Sequence, residues 1–281
     1  MLAKPLSDLT AWVSYLSQAD MPVLKRTAKD FARLRENEEN VTGRQLAAAI
    51  LHDPLMTLRV LAYIESSRRK TQNADITTID RAVMMIGVTP FFARFDGLPL
   101  VEERLRDQPQ ALIGLLRVIA RARQAAMLAR DWAVLRHDLD VDEVTIAALL
   151  HDAAEMLLWC FAPPLMLQVR ALQQQVGGMR SAAAQQAVLG ICIGDLQLAL
   201  ARAWRLPQLL LTLMNDGDAA QPRVRNVTLA VNLARHTANG WEDAAIPDDL
   251  AETAKLLGIS EESLLDRLRR MMDNPPPPPA S

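Results

Sequence analysis

Residues 149–159 read LLHDAAEMLLW, with His151 and Asp152 side by side in a run of Leu, Ala, Met and Trp. Titratable side chains are costly to bury unless they find partners or a metal ion. The run is therefore either a metal site or what is left of one. Good helix formers surround the pair, and the pattern extends over 142–161 until Pro163 and Pro164 stop it. The spacing predicts one continuous helix there, with His151 and Asp152 about 100° apart on its circumference. So placed, the two chelate one ion poorly unless other helices supply further ligands. Glu155 lies one turn beyond His151, where it can pair with an imidazolium.

The rest of the chain carries the same helical punctuation. Asp53 followed by Pro54 is a cap followed by proline at the first helical position. Thr77 and Asp80 have capping-box spacing ahead of IDRAVMMI, with Gly87 placed to close that helix. Ser7 is expected to cap a first helix and Ser260 a last one. A long helical pattern runs over 109–135, and shorter ones over 181–189, 193–204, 208–215, 223–239 and 248–257. Gly177–Gly178 mark a turn. No alternating strand pattern of useful length occurs. The fold class is all-α, a multi-helix bundle. Sequence divisions are expected at 1–108, 109–272 and a proline-rich tail over 273–281, the last unable to join a helical core.

Half of the 281 residues are apolar, enough for one large core or two coupled small ones. The formal charge of −2 provides no global basic field to draw the chain to nucleic acid or anionic lipid. The two cysteines, Cys160 and Cys192, suggest no disulfide framework and fit a reducing cytoplasm. Cys160 reads as an inert buried thiol. The start MLAKPLSDLT lacks the apolar core of a signal peptide. No window of about 18 uncharged apolar residues is evident, so no membrane helix is expected.

Several stretches in order resemble one bacterial regulatory family. They are MPVL at 21–24, LAAAILHDPLMTLRVLAYIES at 46–66, ITTIDRAVMMIGV at 76–88, IAALLHDAAEMLL at 146–158 and ARAWRLP at 201–207. Together they resemble the HDOD domain, a relative of the HD metal-dependent phosphohydrolases. The resemblance implies an N-terminal helical part packed on a degenerate HD-type bundle. An active HD site has a further His, then His–Asp, then a distant Asp. Here those positions fall near Ala122, then His151–Asp152, then Arg235. Later histidines expected by the pattern fall near Ile193, Asn215 and Asp216. The Gly and Lys that usually follow His–Asp are lost.

The chain has four histidines, and a catalytic metal needs about three converging protein ligands. His52 belongs to the Asp-Pro helix start, and His137 to a polar connection. The weak recruits for a rebuilt site are Glu155, Asp195 and His236. Arg117 and Arg121, one turn apart, are candidates for anion binding together with Arg235. SSRRKTQN at 66–73 is a basic stretch without aromatic interleaving. Residues 251–268 have a helix-turn-helix pattern, but Glu261 and Glu262 open its second helix, where phosphates would repel them.

The expected function is a non-enzymatic signal-transduction module without a cofactor, acting in the cytoplasm as a protein-interaction or ligand-sensing scaffold. A groove between the N-terminal helices and the HD-like helices would be its working surface. Resemblance points to partners in two-component or cyclic-di-GMP signalling. The rivals are a degenerate but active phosphohydrolase, and a nucleic-acid-binding regulator using the 251–268 hairpin.

Overall fold

Asp53 and Pro54 begin a helix as their order implies, and most other boundaries also fall where the sequence punctuates. The computed structural model describes residues 1–67, 75–175, 179–218 and 220–273. In chain order the helices are α1 Leu9–Ser17, α2 Lys25–Arg35, α3 Gly43–Leu51, α4 Pro54–Ser67, α5 Ile79–Ile86, α6 Val88–Arg94, α7 Val101–Arg104, α8 Pro109–Leu135 and α9 Val141–Leu150. They continue as α10 Ala153–Phe161, α11 Pro163–Gln175, α12 Ser181–Leu189, α13 Ile193–Ala203, α14 Gln208–Leu213, α15 Pro222–His236, α16 Ile246–Leu257 and α17 Glu261–Asp273. Among the described residues no strand forms, only a parallel bridge between Val23 and Leu100. Most of the basic stretch at 66–73, the Gly177–Gly178 turn and the proline run Pro275–Pro279 lie outside the described residues.

Two caps differ from expectation. Asp8, not Ser7, caps α1, its Oδ1 accepting from Ala11 N at 2.9 Å while Ser7 Oγ donates to Oδ2 at 3.1 Å. The carboxylate is the stronger acceptor, and Asp8 has the extended backbone a cap requires. At α5 the cap is Thr78, and Asp80 is the second helical residue, one position too early to close a box with it. The reciprocal box forms instead at α3, between Thr42 and Gln45. Gly87 ends α5 at a φ of 82°, and Ser260 Oγ accepts from Ser263 N at 3.2 Å to start α17.

Contacts divide the chain into two compact units, residues 1–120 with 151–207, and residues 121–150 with 208–281. This grouping cuts the chain elsewhere than the expected sequence division at 108.

In the first unit, Trp12 and Leu16 of α1 are fully buried, and the Trp12 indole donates to Leu189 O at 3.2 Å. The extended segment 21–24 lies against 99–101, Val23 N donating to Pro99 O and Val101 N to Val23 O, both at 2.9 Å. Asp53, fully buried, fastens that segment to α4. Its Oδ2 accepts from Leu24 N and Thr27 Oγ1 at 2.8 Å, and its Oδ1 from Leu55 N at 3.0 Å and Met56 N at 3.3 Å. Arg59 adds a second fastening, to the Met21 carbonyl and to Asp20 at 2.8 Å. Phe31, Phe91, Phe92 and Phe95 pack edge-on or tilted nearby.

In the second unit, α15 packs on α9 and α16. Trp132 is fully buried, and the buried Asn226 donates to Ala129 O at 3.1 Å. Arg267 of α17 grips Asp131 with two bonds, at 2.5 and 2.6 Å.

Against the expectation of no such segment, the stretch 141–161 has the length and mean hydropathy of a membrane-crossing helix. In the fold 83% of its most apolar window is buried inside the protein.

Candidate functional site

The helix expected over 142–161 is interrupted at the His–Asp pair. α9 ends at Leu150 and α10 begins at Ala153, with His151 and Asp152 in a turn between them. Asp152 has φ −100° and ψ 20°, outside the helical region. The two side chains therefore do not diverge as they would on a continuous helix. His151 Nδ1 lies 3.3 Å from Asp152 Oδ1, and both side chains are nearly buried. Asp152 makes no side-chain cap to α10. That role belongs to Gln197 of α13, whose Oε1 accepts from Ala154 N at 2.7 Å. Gln197 carries no sequence signal for this task, because its partner lies 43 residues away.

The other candidates are distributed as follows. Glu155 is half-buried on α10, Asp195 is exposed on the first turn of α13, and Arg117 is exposed on α8. All three belong to the first unit with His151 and Asp152. Arg121, Arg235 and His236 belong to the second. Arg121 is half-buried and Arg235 exposed. His236 ends α15, and its Nδ1 lies 2.5 Å from Oδ2 of the buried Asp249 on α16. A histidine expected as a recruit for metal is thus engaged by a carboxylate that joins two helices of its own unit. Among the described residues, no three His, Cys, Asp or Glu side chains gather in a way that would hold a metal ion.

The 251–268 hairpin is spent on packing. Leu264 and Leu268 are buried, Arg267 is held by Asp131, and Glu261 and Glu262 are exposed at the start of α17.

A groove of about 600 Å³ lies in the first unit, between α1, Arg104 at the end of α7 and Phe161 at the end of α10. Arg104 lies with its Cζ 4.0 Å from the Phe161 ring centroid, and its Nε donates to Cys160 O at 2.9 Å. Cys160 itself is fully buried, and burial pushes its thiol up to about 12. No motif in the sequence points to Arg104, the last residue of VEER at 101–104.

A family model described as the HDOD domain matches residues 21–219. The chain belongs to the HDOD family. Solved structures share the fold. A MmoQ response regulator from Methylococcus capsulatus str. Bath is 21% identical, with 89% of this chain and 98% of that one covered and a TM-score of 0.66. A virulence factor from Campylobacter jejuni subsp. jejuni is 18% identical, with 96% and 95% covered and a TM-score of 0.65. An HDOD domain protein from Geobacter sulfurreducens is 19% identical, with 94% of each chain covered and a TM-score of 0.52. No curated protein matches. The resemblance expects HD ligands near Ala122, Ile193 and Arg235, of which the first two are buried and the third exposed. The opening motif has a visible task, since Asp53 and Arg59 fasten the Met21–Leu24 segment to α4.

Proposed function

We propose that this chain is a regulatory HDOD module that acts by binding rather than by catalysis. The observation that carries the reading is the state of the HD pair. His151 and Asp152 face each other in a turn, while His236 is engaged by Asp249 in the other unit. Two donors fall short of the three protein ligands that a catalytic metal requires. One structural relative, a response regulator, is in keeping with signalling through partners of two-component or cyclic-di-GMP type in the cytoplasm. The groove beside α1 is the working surface in this reading.

Incubation with zinc, manganese, iron or nickel, followed by quantification of bound metal, tests the non-catalytic part. Less than a tenth of an equivalent is expected (an order-of-magnitude expectation for sites with too few ligands). Stoichiometric binding that His151→Ala abolishes, together with turnover on a panel of nucleotides and phosphodiesters, overturns the proposal in favour of a degenerate hydrolase. Capture of partners from the native cell extract, compared between wild type and Ala11→Trp in the groove, addresses the binding part.

A further inference from the structure

We infer that the groove over α1 binds a small molecule in which a carboxylate or phosphate is joined to an aromatic or apolar body, with Arg104 as the anion contact. The inference deepens the reading of the chain as a binding module and rests on it.

The first argument is the sidedness of α1. Trp12 and Leu16 are fully buried, whereas Ala11, Ser14, Tyr15 and Gln18 line the groove. Those four have the i, i+3, i+4, i+7 spacing of one helical face. The helix therefore buries one face and turns a small and polar one toward the open space. At about 600 Å³ the groove falls within the range of small-molecule sites, which run from roughly 300 to 1,000 Å³.

Arg104 supplies the second argument. It is the charged residue among the groove's lining. Stacking on Phe161 and the bond from Nε to Cys160 O hold the guanidinium plane in place. Neither Nη donates to a protein acceptor among the described residues, and no carboxylate there pairs with it. A fixed fork of donors matches the two oxygens of a carboxylate or phosphate, and little further entropy is lost when it binds one. Such an arginine on a groove wall differs from the surface arginines here that pair with neighbouring acids, such as Arg35 with Asp96 at 2.9 Å.

The surroundings specify the rest of the ligand. Tyr15 stands edge-on to Phe161, with centroids 6.3 Å apart, forming an aromatic wall beside the cation. Leu6, Ala11 and Ala19 add apolar surface. The Ser14 and Tyr15 hydroxyls make no hydrogen bond to protein among the described residues and are available to a ligand. Every lining residue except Arg104 and Phe161 precedes residue 21, where the family match begins. Ligand choice is thus placed on a segment outside the matched domain.

Calorimetric titration of the full chain with phenyl phosphate and benzoate tests the inference, with inorganic phosphate and acetate as arms that lack the apolar body. Wild type is expected to saturate at one equivalent with phenyl phosphate or benzoate, with a Kd below roughly 1 mM. The tighter of the two identifies the oxyanion. Arg104→Gln is expected to weaken binding about tenfold or more, and Arg104→Lys nearly as much because the fork is lost. Ala11→Trp fills the groove and is expected to abolish binding, while Arg33→Gln on α2, which does not line the groove, leaves it unchanged. Absence of saturation by wild type up to roughly 10 mM overturns the inference. So does equal binding by wild type, Arg104→Gln and Ala11→Trp, or equal affinity for phenyl phosphate and inorganic phosphate. Phenol release with added metal ions is followed in the same samples. Turnover would overturn the non-catalytic reading while leaving the groove assignment standing, and failed binding would do the reverse.

Discussion

At Asp53, one buried carboxylate answers four donors from three places in the chain. Without it, Leu24 N, Thr27 Oγ1, Leu55 N and Met56 N would be stranded in a dry site. Asp53→Ala is therefore expected to lower stability by roughly 3 kcal/mol, measured by urea denaturation. Burial is the largest influence on this carboxyl and raises its pKa above the ordinary 3.8, outweighing the hydrogen bonds that lower it. The folded state thus binds the proton more tightly than the unfolded state does. The proton-linked part of its contribution is fully present below pH 3.8 and declines as pH rises through the raised value. Wild type is accordingly expected to gain on Asp53→Asn as pH falls through that window, in denaturation curves taken across a pH series. The Asp-Pro dipeptide made the cap legible. The tie to Leu24 was not legible, because no local rule links positions 29 apart.

Among the elements, α10 shows how packing decides what pattern leaves open. Its composition announces a helix, yet its start is set by Gln197 from α13, and its face is set by a glycine on α8. A Cβ at Gly114 would meet the Trp159 ring at 2.7–2.8 Å, and Trp159 is only 4% exposed. Alanine is the better helix former by about 1 kcal/mol, but overpacking against a confined indole costs about 1–3 kcal/mol. Gly114→Ala is expected to destabilise by about 1 kcal/mol. Gly194→Ala, where a Cβ meets nothing within 4 Å, is expected to be neutral or slightly stabilising. Denaturation of both variants checks the contrast; equal effects would show that α8 and α10 do not approach as described. The same logic accounts for the break at His151–Asp152. Helix propensity is a sum over neighbours, and it cannot register that the backbone turns where α9 gives way to α10.

For the whole molecule, the two cysteines report on the core. Cys160 is fully buried with its thiol pushed up to about 12, so at pH 8 it offers almost no thiolate and no access. Cys192 is half-exposed. Ellman's reagent is expected to titrate one thiol per native chain promptly, and the second only as the chain unfolds globally. Two prompt thiols would mean that the core around α10 opens readily. At this scale too, the 251–268 hairpin changes meaning, since a pattern shared with DNA-binding motifs here uses Leu264, Leu268 and Arg267 to close the second unit.

The sequence by itself determined the all-α class, most of the helices, and the family, because caps, glycines, prolines and apolar spacing act over a few residues; it did not mark α7 or α11. It also marked where the resemblance expects ligands, since Ala122 and Arg235 are visible as letters. Only the tertiary structure decided that His151 and Asp152 meet in a turn, that Gln197 starts α10, that Asp249 holds His236, and that Arg104 presents an open fork beside α1. Each of those depends on side chains brought together across tens of residues. Burial and hydrogen-bond satisfaction select such pairings over the whole chain at once, and no local pattern encodes them.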